Sequence, residues 1–160
     1  MRLTHLADYA VVMMTAAARR DEGSRLSAAE LSGATGVPLP TAQKLMGKLT
    51  QAGLLSSVRG FGGGFTLART SDKISLADIV EAVEGPIAMT QCGGSDEASD
   101  CALDSHCQIK PHMGIVGEAV RGALAAVSLE QLSRVPVPTR APLGKAPAAV
   151  RPHASALAGY

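Results

Sequence analysis

The sequence predicts a mainly α protein with one small β-hairpin. Apolar residues recur three and four positions apart through most of the first 133 residues, the period of helices that bury one face. One stretch breaks that period, where two short β-prone runs flank a turn holding four glycines in residues 60–64. Aromatic residues are limited to Tyr9, Phe61, Phe65 and Tyr160, so the core must be aliphatic, which suits packed helices better than a β-sandwich. A chain of 160 residues fits one domain with appendages. It has no run of eighteen apolar residues and hence no expected membrane span. Its first residues lack the apolar run of a signal peptide. The expectation is a cytoplasmic protein, where thiols stay reduced.

The elements follow in order. Leu3, Leu6, Ala10, Met13, Met14 and Ala17 form one helical stripe, with Arg19 and Arg20 at its C-terminal end and Gly23 as a break. Ser27 followed by Glu30 is a capping-box pattern that opens a second, short helix, punctuated by Gly33 and Gly36. A third helix begins near Pro38-Leu39-Pro40, where proline is tolerated because first-turn N–H groups lack helical partners. Ala42, Leu45, Met46 and Leu49 form its apolar face, and Gly53 ends it. Residues 54–59 and 65–69 form the hairpin. A fourth helix opens at Ser75, carries Leu76, Ile79, Val80 and Val83, and stops at Gly85-Pro86. A long fifth helix starts near Pro111 and carries Ile115, Val116, Ala119, Val120, Ala123, Leu124 and Val127, followed by a short turn over residues 128–132. From Arg134 onward five prolines alternate with Ala and Arg without periodicity, which predicts a disordered tail.

Helix, short helix, glycine turn, helix and hairpin is the order of a winged helix-turn-helix. The turn over residues 33–36 joins helices two and three, which makes helix three the expected recognition helix. Thr41, Lys44 and Lys48 share the face opposite its apolar stripe, with Gln43 near the N-terminal edge. A glutamine amide offers paired groups to an adenine edge, and Lys44 can reach guanine or phosphate. Lys48 is expected on a phosphate. The same residues also fit the solvated side of an amphipathic helix. Arg59 stands beside the glycine turn containing Gly60, Gly62 and Gly63, where it could enter a narrow, electronegative minor groove. The glycines are not a dinucleotide fingerprint, because a strand rather than a helix follows them. Charge is segregated. Residues 1–70 carry eight Lys or Arg against four Asp or Glu, residues 71–133 carry three against ten, and residues 134–160 carry four against none. A basic N-terminal block fits a polyanionic partner, here double-stranded DNA.

All three cysteines, Cys92, Cys101 and Cys107, fall within sixteen residues at spacing C-x8-C-x5-C. Few large apolar residues surround them, so the stretch is an exposed loop rather than a core element. Thiolates gathered in such a loop bind soft metals, iron–sulfur clusters or zinc. A redox pair would show C-x-x-C, and an odd number leaves no closed set of intramolecular disulfides. The plain alternative is three free thiols on a loop, where exposed thiols are a liability.

Three segments resemble the Rrf2 family of iron–sulfur-cluster-sensing regulators, typified by IscR and NsrR. They are Met1-Arg2-Leu3-Thr4, then Gly53-Leu54-Leu55-Ser56-Ser57-Val58-Arg59-Gly60 with Gly62-Gly63-Gly64-Phe65, and Ile74-Ser75-Leu76-Ala77-Asp78-Ile79-Val80-Glu81-Ala82-Val83. The resemblance spans roughly residues 1–133, and Val37-Pro38-Leu39-Pro40-Thr41 with the cysteine loop is most similar to the branch regulating the SUF cluster-assembly operon. It implies a homodimer with helix five as the dimerisation helix, a cluster held by the three cysteines, and DNA contacts from helix three and the wing. It divides the chain into a winged helix-turn-helix over 1–84, a cluster-binding loop over 85–110, a dimerisation helix and terminal turn over 111–133, and the tail over 134–160. IscR-type proteins place a histidine three positions after the last cysteine, whereas this chain has Lys110, a poor ligand while protonated. Asp8, which matches the carboxylate of NsrR-type proteins, and His112 are then the preferred fourth ligands, ahead of His106. The cluster type stays open between 2Fe–2S, favoured, and 4Fe–4S.

The expected function is a transcriptional repressor that senses cluster status and controls SUF-type genes. Two alternatives are a nitric-oxide- or redox-responsive cluster regulator of other genes and a zinc-stabilised DNA-binding module. An enzyme is least expected, since Ser-His-Asp, paired-carboxylate, H-E-x-x-H and P-loop patterns are all missing.

Overall fold

In a computed structural model of the chain, the residues described are 3–21, 23–60, 62–88, 90 and 108–134. The elements run α1 (His5–Ala18), α2 (Ala28–Thr35), α3 (Leu39–Gln51), β1 (Leu55–Val58), β2 (Gly64–Leu67), a 3-10 turn (Ser71–Lys73), α4 (Leu76–Glu84), α5 (Lys110–Ala125) and α6 (Leu129–Ser133). This is the predicted mainly α fold with one hairpin. The cysteine loop and the tail beyond Arg134 lie outside the described residues.

The apolar stripes read from the sequence build one core. Ala10, Met13 and Met14 of α1 meet Ala42, Leu45, Met46 and Leu49 of α3, with Leu54, Leu55, Ile79 and Val83 beside them. Each Leu-sized side chain buried in this way is worth about 1.5–3 kcal/mol. Hydroxyl caps open α1, α2, α4 and α6, whereas α3 and α5 start without a side-chain cap. Ser27 and Glu30 complete the expected box on α2, and Ser75 with Asp78 forms a second on α4.

The structure departs from the sequence reading in several places. Gly33 lies inside α2, and the break comes at Gly36, whose φ of 76° gives a left-handed cap. The true turn between α2 and α3 is satisfied by short side-chain bonds, Thr35 Oγ1 to the Leu31 carbonyl at 2.6 Å and Ser32 Oγ to the Val37 carbonyl at 2.7 Å. Val127 lies beyond α5, and its carbonyl accepts the Leu76 N–H at 2.8 Å. Leu129 N–H in turn donates to the Ile74 carbonyl at 2.7 Å, and both side chains are fully buried. Residues 128–132 are therefore no simple turn. Ser128 caps the short α6 through a box with Gln131. Arg19 caps the C-terminal end of α1 as expected, and beyond that its Nε donates to the Ser133 carbonyl at 3.0 Å.

The hairpin pairs Leu55 with Leu67, Ser56 with Thr66, Ser57 with Phe65 and Val58 with Gly64. Leu26 adds an unexpected third rung, exchanging backbone bonds of 2.9 and 2.8 Å with Phe65. The wing is thereby tied to the segment that enters α2.

Candidate nucleic-acid interface and cluster loop

Helix α3 buries Ala42, Leu45, Met46 and Leu49 and turns Gln43 and Lys44 to solvent, as the sequence implied. Thr41 is half-buried at the margin of that face. Gly47, not singled out from the sequence, is exposed on the same helix with open space where a Cβ would stand. It lies one turn beyond Gln43 and Lys44 and leaves the helix backbone bare there, the condition for close approach of a groove wall.

Lys48 is engaged within the chain. Its Nζ donates to the Val83 carbonyl at 2.6 Å, and the side chain is half-buried. The ammonium thus satisfies a carbonyl of the last turn of α4, where helix ends leave acceptors without partners and favour positive charge. A phosphate would have to compete with that bond.

The wing presents Arg59 and Gly60 at the surface. Two of the turn glycines need their freedom, with φ of 101° at Gly60 and 76° at Gly62. Gly63 is required for a different reason, because a Cβ there would lie 2.5 Å from the Val58 carbonyl oxygen and 2.8 Å from that of Gly60. Gly63 N–H closes the turn onto the Gly60 carbonyl at 2.8 Å. Arg25, which no sequence pattern flagged, donates from Nη1 to the Gly62 carbonyl. Its partner lies 37 residues away, so local spacing carries no sign of it.

Cys92, Cys101, Cys107 and His106 lie outside the described residues. Among the described residues no three His, Cys, Asp or Glu side chains gather into a metal site. Asp8 is exposed in the first turn of α1, and His112 is exposed in the first turn of α5. The donor chemistry suits a cluster, since three thiolates in one segment are the usual soft ligands and either remaining candidate is a workable fourth.

The two ends of the loop are placed. On one side Lys48 binds the Val83 carbonyl, and Thr4 donates from N and Oγ1 to Glu84 Oε1 at 3.1 and 2.7 Å. Gly85 then turns the chain with φ of 90°. Ile87 passes close to the buried Gly117 of α5, its carbonyl oxygen 3.7 Å from where a Cβ would stand. On the other side α5 is clamped to α4 by Arg121, whose Nε and Nη2 meet the two oxygens of Glu81 at 2.8 and 3.2 Å. Among the described residues no helix is long and apolar enough to cross a membrane.

Comparisons with known proteins agree with this geometry. Residues 3–134 match the family model described as Rrf2, iron-dependent transcriptional regulator. The HTH-type transcriptional regulator IscR of Xenorhabdus nematophila is 32% identical over 132 residues, covering 82% of this chain and 79% of that protein. Among solved structures, CymR of B. subtilis, the global cysteine regulator, superposes with a TM-score of 0.62 at 23% identity, covering 83% of this chain and 96% of its own. IscR of T. potens does so at 0.59 and 23%, covering 82% and 85%. The structural matches speak for the fold, and the family model and the sequence relative for descent. The chain is a DNA-binding transcriptional regulator of the Rrf2 family.

Proposed function

We propose that this regulator is a homodimeric repressor that senses iron–sulfur cluster status through Cys92, Cys101 and Cys107 and controls SUF-type cluster-assembly genes. The observation that carries the sensing role is the confinement of every cysteine to the one segment that joins α4 to α5. When bound, the cluster supplies a thiolate-anchored crosslink across that segment. The chain's own residues give the segment its leverage. Val83 and Glu84, just before it, are held by Lys48 of the recognition helix and Thr4 at the start of α1. A change in the loop therefore acts on residues bonded to the DNA-reading helix. Asp8 or His112 supplies the fourth ligand. Gln43 and Lys44 read base edges, Thr41 and Lys48 border the phosphates, and Arg59 with Gly60, Gly62 and Gly63 enters the minor groove. The SUF assignment rests on the likeness of Val37-Pro38-Leu39-Pro40-Thr41 and of the cysteine loop to that branch.

Dimerisation is supported by apolar surface left uncovered within one chain. Ile109, Ile115 and Val116 are 63%, 68% and 41% exposed, and Val12 of α1 is 47% exposed. Such residues gathered along a long helix mark an association surface.

Anaerobic purification with iron, sulfide and zinc analysis tests the sensing role. Coloured protein with bound sulfide, lost in each Cys→Ala variant, is the expected result. Colourless protein carrying zinc would replace the sensor reading with a zinc-stabilised DNA-binding module. Sequencing of genomic fragments retained by the protein tests the SUF assignment, which fails if assembly-gene promoters are not enriched.

A further inference from the structure

We propose that Arg25 is a positioning residue for the wing, holding its turn in the conformation that aims Arg59 at DNA. The inference rests on the reading of the wing as a minor-groove contact. Three observations converge on Arg25. Its Nη1 donates to the carbonyl of Gly62, at the tip of the turn. Its Cβ lies 3.2 Å from where a Cβ of Gly64 would stand, so its stem is packed against the start of β2. Its neighbour Leu26 exchanges two backbone bonds with Phe65. The segment before α2 thus grips the returning strand by backbone and the turn by side chain.

That grip compensates for a weakness in the turn. A glycine-rich turn loses more conformational entropy on ordering than any other sequence. Among the described residues its own closure is the bond from Gly63 N–H to the Gly60 carbonyl. An arginine inserted into a narrow groove binds best when its backbone is already placed, because ordering it on binding subtracts from affinity. Arg25 supplies a further bond, and being charge-assisted it is stronger than a neutral one. Arg25 therefore acts through Arg59 rather than by reading a base.

The test uses the full chain, a duplex selected by the protein from a random-sequence pool, and two readouts. Fluorescence anisotropy on the parent, Arg25→Ala, Arg59→Ala and the double variant forms a mutant cycle. Arg25→Ala is expected to bind roughly tenfold more weakly, the scale of one charged hydrogen bond. In the Arg59→Ala background it should cost almost nothing further. Amide hydrogen exchange, read without DNA, should quicken at Gly63 in Arg25→Ala while amides of α3 stay protected. Losses that multiply across the cycle would mean that Arg25 touches phosphate on its own account, which overturns the proposal. Unchanged exchange at Gly63 removes the brace itself. Undiminished binding by Arg59→Ala instead sinks the underlying wing reading, and the two failures are told apart by the exchange data.

Discussion

Glu30 carries a charge that its helix uses. Its carboxylate accepts the Ser27 N–H at 2.7 Å while Ser27 Oγ accepts the Glu30 N–H at 3.1 Å. The backbone bond from Ser27, followed by the Ser27 hydroxyl and more distantly the charge of Arg20, holds this carboxyl below its usual value. A depressed folded-state value means that the contribution is present above the unfolded carboxylate range and is lost as pH falls through the folded one. Glu30→Gln keeps an acceptor in the capping box but cannot titrate. Its urea midpoint should therefore follow acidification less steeply than the parent's, and identical slopes would show that the box is indifferent to charge. On the proposed reading of a cluster in the cysteine loop, its fourth ligand also comes down to single residues. Asp8→Ala or His112→Ala should shift the visible spectrum of the loaded protein and hasten cluster loss, and Lys110→Ala should change neither. A lysine must shed its proton to bind iron, and its ordinary pKa keeps it protonated near neutral pH. Asp8 has an ordinary alternative role, a first-turn carboxylate favoured by the helix dipole, and that role alone would leave the spectrum untouched. A spectrum altered only in Lys110→Ala sinks the ligand assignment.

At the scale of elements, what was legible followed from local chemistry. The box at Ser27 and Glu30, the glycine turn of the wing and the apolar stripe of α3 each depend on residues a few positions apart, and each stands where the sequence placed it. What was not legible depends on residues far apart. The rung between Leu26 and Phe65, the bond from Lys48 to Val83 and the pairing of residues 74–76 with 127–129 leave no periodic trace. Gly33 misled because glycine is a weak breaker inside a helix, costing about 1 kcal/mol against alanine, and α2 tolerates it on an exposed face. The least expected joint is the one between residues 74–76 and 127–129. Leu129 is fully buried beside Ile74, and its backbone sews the end of α5 to the start of α4. Leu129→Ala should destabilise the protein by about 2–5 kcal/mol, the usual range for truncating a buried leucine. Chemical denaturation monitored by circular dichroism measures this. A loss below about 1 kcal/mol would mean that α6 is an ornament rather than part of the core.

At the scale of the whole molecule, the distribution of apolar surface and charge points outward from one chain. The basic first 70 residues carry α3 and the hairpin, and the acidic stretch from 71 to 133 carries α4, the cysteine loop and α5. A polyanion is thus drawn to one half and kept from the other. Within the chain α5 is held to α4 by the Arg121–Glu81 pair and passes Ile87 at Gly117, while Ile115 and Val116 stay exposed. A two-fold dimer built on that face would set two recognition helices at a fixed separation, and the operator would then carry two matching half-sites. Ile115→Glu places a charge where the partner helix must pack, and burying an unpaired carboxylate costs far more than the apolar contact contributes. Sedimentation velocity should show the variant as monomers at concentrations where the parent is a dimer. Circular dichroism should stay unchanged, because Ile115 is solvent-exposed within the single chain. Affinity for a two-half-site duplex should fall steeply, while affinity for a single half-site stays near the parent's. A variant that still sediments as a dimer removes α5 from the interface and moves attention to the exposed Tyr9 and Val12 of α1.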